Sequence, residues 1–152
     1  MPQTAIDLLK NDHRKVKDLL HQLADTTDRA QKKRQDLLHR IEQELSIHTR
    51  LEEELFYPAF RDTKTPEHKK MYFESLEEHR AVEELVLPDL KNTDPTSEKF
   101  AGRAKVLREL VEHHIQDEEQ EMFPEAEDSI GTADLEELGR QMEARRKQLK
   151  KQ

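Results

Sequence analysis

Apolar residues recur in steps of three and four along most of this chain, and those steps define helices. From Thr4 to about Asp25 they fall at Ile6, Leu9, Val16, Leu20 and Leu23, with His13 completing the row. This is the seam of an amphipathic helix, and Thr4 with Asp7 has the form of a capping box at its start. A polar turn at Thr26, Thr27 and Asp28 leads to a second helix running to about Arg61, with an inner row of Leu37, Ile41, Leu45, His48, Glu52 and Leu55. The stretch Asp62 to Pro66 breaks the pattern, and Thr65 before Pro66 suits an N-cap with proline at the first helical position. A third helix, about Pro66 to Lys91, turns Tyr72, Leu76, His79, Glu83, Val86 and Leu90 inward, and Pro88 is expected to end it or kink its last turn. After turn residues Asn92 to Ser97, a fourth helix faces Phe100, Ala104, Leu107, Val111, His114, Glu118 and Met122 inward. Gly131 and Thr132 read as a stop and a restart before a short fifth helix to about Gln152.

Four amphipathic helices joined by short turns predict an all-α, up-down-up-down four-helix bundle over residues 1–130. The segment 131–152 is expected to pack on it as a C-terminal helix within a single domain. Its basic end, RRKQLKK, reads as cations offsetting the helix dipole.

The seam contains an internal duplication. HTRLEEELFYP from His48 is echoed by HIQDEEQEMFP from His114, 66 residues later, and the same displacement carries His13 in NDHRKVKDL onto His79 in EEHRAVEEL. The bundle is thus expected to be two repeated helical hairpins about a pseudo-twofold axis, with a histidine from each helix at one level.

Composition narrows the chemistry. Only 33% of the 152 residues are hydrophobic and 39% are charged, so folding rests on the periodicity just described. There is no cysteine, which excludes disulfides and thiolate sites and fits a reducing, cytoplasmic setting. No stretch approaches the roughly 20 apolar residues of a membrane span and no signal-like start is evident, so a soluble, untargeted protein is expected. A net charge of −8 argues against nucleic acid as the main partner.

Residues four apart share a helix face, so His48 can converge with Glu52 and His114 with Glu118. Four imidazoles and two carboxylates in an apolar interior are costly to bury alone, and a pair of divalent ions compensates them. Imidazole suits iron, zinc, copper and nickel, and carboxylates can bridge two ions. Two histidines per ion with two bridging glutamates, an oxo or hydroxo bridge and one open position favour redox-active di-iron over closed structural zinc. Glu83, one turn after His79, faces inward and is a further candidate ligand, although the repeat aligns it with Lys17. His21, His39 and His68 lie off the inner rows and are read as surface residues. His113 aligns with Ile47 and is placed beside the site or on the surface, and Glu53, Glu54, Glu119 and Glu121 are read as exposed. Phe56, Tyr57, Phe123 and the two prolines are read as an end cap over a dry cavity.

DHRKV around His13, HTRLEEELFYP, EHRAVEEL around His79 and HIQDEEQEMFP together resemble the hemerythrin-like, or HHE cation-binding, family over about Thr4 to Asp128. The resemblance implies a non-haem di-iron centre, with one iron served by His13 and His48, the other by His79 and His114, and Glu52 and Glu118 bridging. It also implies that O2 or a related molecule, NO or peroxide, binds at the open position. Oxygen-carrying hemerythrins place a fifth histidine where this chain has Glu83, and an aspartate five residues after the last histidine where this chain has Glu118 at four. Replacing a neutral imidazole by a carboxylate, or by nothing, makes the site more anionic or opens a second position, and either favours ferric iron and reaction over reversible oxygen carriage.

Three functions follow: a di-iron module that binds O2, NO or peroxide for sensing, buffering or stress response; an enzyme that decomposes peroxide or performs a small oxidation; or a helical interaction protein stapled by metal. An enzyme needs an acid or base beside the pocket, for which Glu83 is the first candidate and Tyr57 the second.

Overall fold

The computed structural model describes residues 2–62 and 65–151. The break read at Asp62 to Pro66 includes Thr63 and Lys64, which lie outside the described residues, as does Gln152 at the expected end of the last helix. Among the described residues there are five helical rods: α1 (Ala5–Ala24), α2 (31–61), α3 (66–91), α4 (98–130) and α5 (Thr132–Lys150). Three of them begin on the side-chain caps that local chemistry predicts. Thr4 and Asp7 form a reciprocal capping box at α1, Thr65 caps α3 ahead of Pro66, and Ser97 caps α4. Gly131 separates α4 from α5 at φ +89°, a backbone conformation open to glycine without a Cβ penalty.

Three of the rods contain a widened π turn, at Glu52–Phe56, Ala81–Val86 and Glu118–Met122. Each turn closes on a bond five residues back: Tyr57 N–H donates to the Glu52 carbonyl, Leu87 to Val82, and Phe123 to Glu118. In every case a proline follows at once, Pro58, Pro88 or Pro124. A proline inside a helix lacks a donor and pushes on the carbonyl four residues earlier, and a π turn swings that carbonyl aside. Pro88 therefore does not end α3, which continues to Lys91.

In α2 and α3 the extra residue rotates the inner row. Beyond Glu52 the buried positions are Phe56, Tyr57 and Phe60, while Leu55 is only half-buried. In α3 the row passes through Val82, Leu87 and Leu90, and Glu83 turns outward. The inner row of α4 lies as the periodicity predicts, from Phe100 to Met122.

The apolar core falls into two parts with a polar layer between them. One cluster, including Val16, Leu20, Ile41, Leu90, Phe100, Leu107 and Val111, fills the end near the α1–α2 and α3–α4 turns. There the buried Arg34 holds two loops together, donating to Thr26 and to the Pro95 carbonyl while covering the Phe100 ring. The other cluster joins Ile6, Leu9, Phe56, Tyr57, Phe60 and Phe123 to Leu135, Leu138 and Met142 of α5. The fifth helix thus packs on the outside of the bundle, against α1 and α2. No helix among the described residues is long and apolar enough to cross a membrane.

Candidate metal centre

The polar layer is built by one residue from each of α1 and α3 and two from each of α2 and α4. His13, His48, Glu52 and Glu118 form one quartet, and Glu52, His79, His114 and Glu118 form a second; in each, one donor atom per residue lies within 4.8 Å of the others. The two glutamates are common to both quartets and are the most deeply enclosed, Glu52 at 0% and Glu118 at 1% exposure. Glu52 Oε1 lies 3.2 Å from His48 Nε2 and 3.1 Å from His79 Nε2. Glu118 places Oε2 3.4 Å from His13 Nε2 and Oε1 2.5 Å from His114 Nε2.

A carboxylate stands behind every imidazole. Nδ1 of His13 donates to Glu119 at 2.6 Å, His48 to Asp12 at 2.9 Å, His79 to Glu53 at 2.7 Å and His114 to Glu78 at 2.7 Å. These bonds fix each ring so that Nε2 points inward, and a carboxylate at Nδ1 raises the donor strength of Nε2. The supports obey the same displacement as the ligands: Asp12 maps onto Glu78 and Glu53 onto Glu119, again 66 residues apart. Asp12 and Glu78 brace a histidine of their own hairpin, whereas Glu53 and Glu119 reach across to the other. The sequence reading placed Glu53 and Glu119 on the surface and passed over Asp12 and Glu78. Their position beside ligands in both copies of the repeat was the available signal.

With Nδ1 committed as a donor, Nε2 of a neutral imidazole is a lone pair. His79 Nε2 and His114 Nε2 nevertheless face each other at 3.1 Å. His13 Nε2, His48 Nε2, both oxygens of Glu52 and Oε2 of Glu118 are buried without hydrogen-bond partners despite their close approach to one another. Converging acceptors of this kind require cations. In a metal-free centre protons fill that role: burial opposes a charged His48, but Glu52 and Asp12 outweigh it and raise its pKa to about 10. The same balance raises His13 through Glu118 and Glu119, His79 through Glu52 and Glu53, and His114 through Glu118 and Glu78. The residues present thus fit a pair of divalent ions, and all-nitrogen-and-oxygen donors suit borderline transition metals.

The two quartets have different neighbours. Tyr57, fully buried, donates its hydroxyl to Glu118 Oε1 at 2.6 Å and lies 3.2 Å and 3.3 Å from Nε2 of His79 and His114. Burial and the two glutamates hold its phenol protonated, well above the usual tyrosine range. At the other quartet Phe123 stacks on His13, with ring centroids 5.7 Å apart. Tyr57 is therefore more than an end cap.

Glu83 joins neither quartet. The residue as a whole is exposed, but its carboxyl leans over a cavity rim beside Thr49, where partial desolvation raises its pKa. That cavity opens onto the histidines of both quartets through walls of Val16, Leu45, Val82, Val111 and Ile115. It holds about 30 Å³, room for a diatomic-sized molecule and too little for an organic substrate. His21, His39 and His113 lie at the surface. His68 does not: it is 3% exposed, stacked on Phe60 and within 3.2 Å of Glu125. It occupies the inner row of α3 one step before Tyr72.

The chain is 32% identical over 147 residues to the uncharacterized protein Rv2633c of Mycobacterium tuberculosis, covering 96% of this chain and 87% of that one. It is 26% identical over 144 residues to a protein of Nostoc sp. described as a DNA nickase, and spans only 38% of that relative's length. The crystal structure of an HHE cation-binding domain-containing protein from Mycobacterium kansasii, an Rv2633c homologue, superposes with a TM-score of 0.84 at 29% identity, over 97% of this chain and 87% of that one. The family model of the hemerythrin HHE cation-binding domain matches residues 4–126, and the chain belongs to that family.

Proposed function

We propose that the protein holds two iron ions in the paired quartets and binds O2, NO or peroxide there, for sensing, buffering or an iron- or oxidative-stress response. The observation that carries this reading is the sharing of two wholly buried carboxylates between two histidine pairs. His13 and His48 would hold one ion, His79 and His114 the other, with Glu52 and Glu118 between them. An iron pair would supply electrons and bind the small ligand. The chain itself supplies imidazoles braced by carboxylates, an apolar approach that admits small uncharged molecules, and one phenol that keeps its proton at Glu118.

A second reading, turnover of peroxide, is favoured by that phenol, the acid nearest the shared carboxylates. Metal analysis of protein expressed with ample iron tests the first reading, together with optical spectra before and after azide or peroxide. About two irons per chain and a near-ultraviolet band that shifts on ligand addition are expected. Less than one iron, or zinc without a spectrum, would overturn it and leave a metal-stapled bundle.

A further inference from the structure

Two contacts around the quartets have no counterpart 66 residues away: the Tyr57 hydroxyl on Glu118, and a guanidinium on Asp12. Asp12 Oδ2 accepts the Nδ1 proton of His48 at 2.9 Å, and the same oxygen accepts Nη2 of Arg146 at 2.7 Å. Arg146 belongs to α5, outside the duplicated hairpins, and its side chain is almost enclosed, at 11% exposure. In the other half, Glu78 accepts from His114 at 2.7 Å with its side chain 25% exposed, and among the described residues no lysine or arginine pairs with it. The basic end of α5 does more than offset the helix dipole: Arg146 turns toward the ligand layer, and beside it Arg145 clasps Glu54 at the surface through Nε and Nη2 at 2.8 Å and 3.1 Å.

We infer that Arg146 is a positioning residue through which the fifth helix makes the two metal positions electronically unequal. This rests on the reading that the quartets hold metal. A carboxylate at Nδ1 draws the ring proton toward itself and strengthens the opposite nitrogen as a donor. A guanidinium on the same oxygen competes for that negative charge, so Asp12 draws less strongly on His48 than Glu78 does on His114. Arg146 would thus leave an ion beside His13 and His48 more electron-poor, and easier to reduce, than the same ion without it.

Redox titration of the iron-loaded full chain, followed by Mössbauer spectroscopy on enriched iron, tests this. In Arg146→Gln, one of the two reduction waves and one of the two quadrupole doublets are expected to move, the wave to lower potential, while the other of each stays in place. Arg145→Gln, which loosens the same helix without touching Asp12, is expected to match the wild type. Unchanged waves in a fully loaded Arg146→Gln protein, or equal movement of both, would overturn the inference. Should that variant not fold, Arg146→Lys keeps the charge and drops the planar fork; a smaller shift of the same single wave supports the inference, and no shift overturns it. Wild-type protein that takes up no metal pair would overturn the reading of the quartets themselves, and this inference with it.

Discussion

Tyr57 and Phe123 are equivalent residues of the duplication, yet only Tyr57 carries a hydroxyl into the ligand layer, 2.6 Å from Glu118. Tyr57→Phe keeps the ring packing and removes one charge-assisted hydrogen bond. Metal content should stay near two per chain. Metal-free protein should lose about 1.5–3 kcal/mol in urea unfolding, the usual worth of a hydrogen bond to a charged group. If peroxide turnover is the activity, its rate should fall in this variant while azide binding persists.

Shared and unshared ligands should separate in metal analysis. Glu52 belongs to both quartets and His79 to one. His79→Ala is expected to retain about one ion per chain, whereas Glu52→Ala should retain fewer, because both positions lose a donor at once.

The metal-free protein should weaken as the solution becomes alkaline. The pKa of His48 is raised from 6.5 to about 10 on folding, so between those values the folded chain binds more protons than the unfolded one and stability falls as pH rises. Its contribution is fully present below about pH 6.5 and is lost as pH passes through 10. Thermal melts of chelator-treated protein should show that decline, melts of loaded protein should show much less, and metal uptake near neutral pH should release protons.

Gly139 sets the distance between α5 and the start of α1. A Cβ there would lie 2.8 Å from the Gln3 carbonyl oxygen and 3.0 Å from Ala5 N, both backbone atoms. Gly139→Ala should therefore destabilise the fold by about 1–3 kcal/mol, as overpacking does, measurable by denaturant unfolding, with metal stoichiometry unchanged.

The bundle and the six converging residues were legible because both obey simple periods, three to four along each helix and 66 between hairpins. Glu53 and Glu119 escaped because they follow core positions by one residue. That places them on the flank of the helix, about a third exposed by surface measure yet long enough to reach Nδ1 of a histidine on the next helix. Leu55 and Glu83 were misplaced for a different reason. Both lie inside π turns, and extending an ordinary helical row through such a turn puts the following residues on the wrong face. Proline immediately afterwards was the visible cue, and at Pro88 it suggested an ending instead of a widening. His68 was within reach, since four residues before Tyr72 is still the same row.

The π turns at Glu52–Phe56 and Glu118–Met122 let α2 and α4 each carry two angular phases. One added residue advances the helix by about 100°, so the histidine-glutamate tier and the aromatic tier beneath it are indexed separately on the same backbone. The upper tier can keep its twofold repetition while the lower one drifts, tyrosine in one half and phenylalanine in the other. A duplicated protein gains from this a way to differentiate its halves without disturbing the donors that must stay alike.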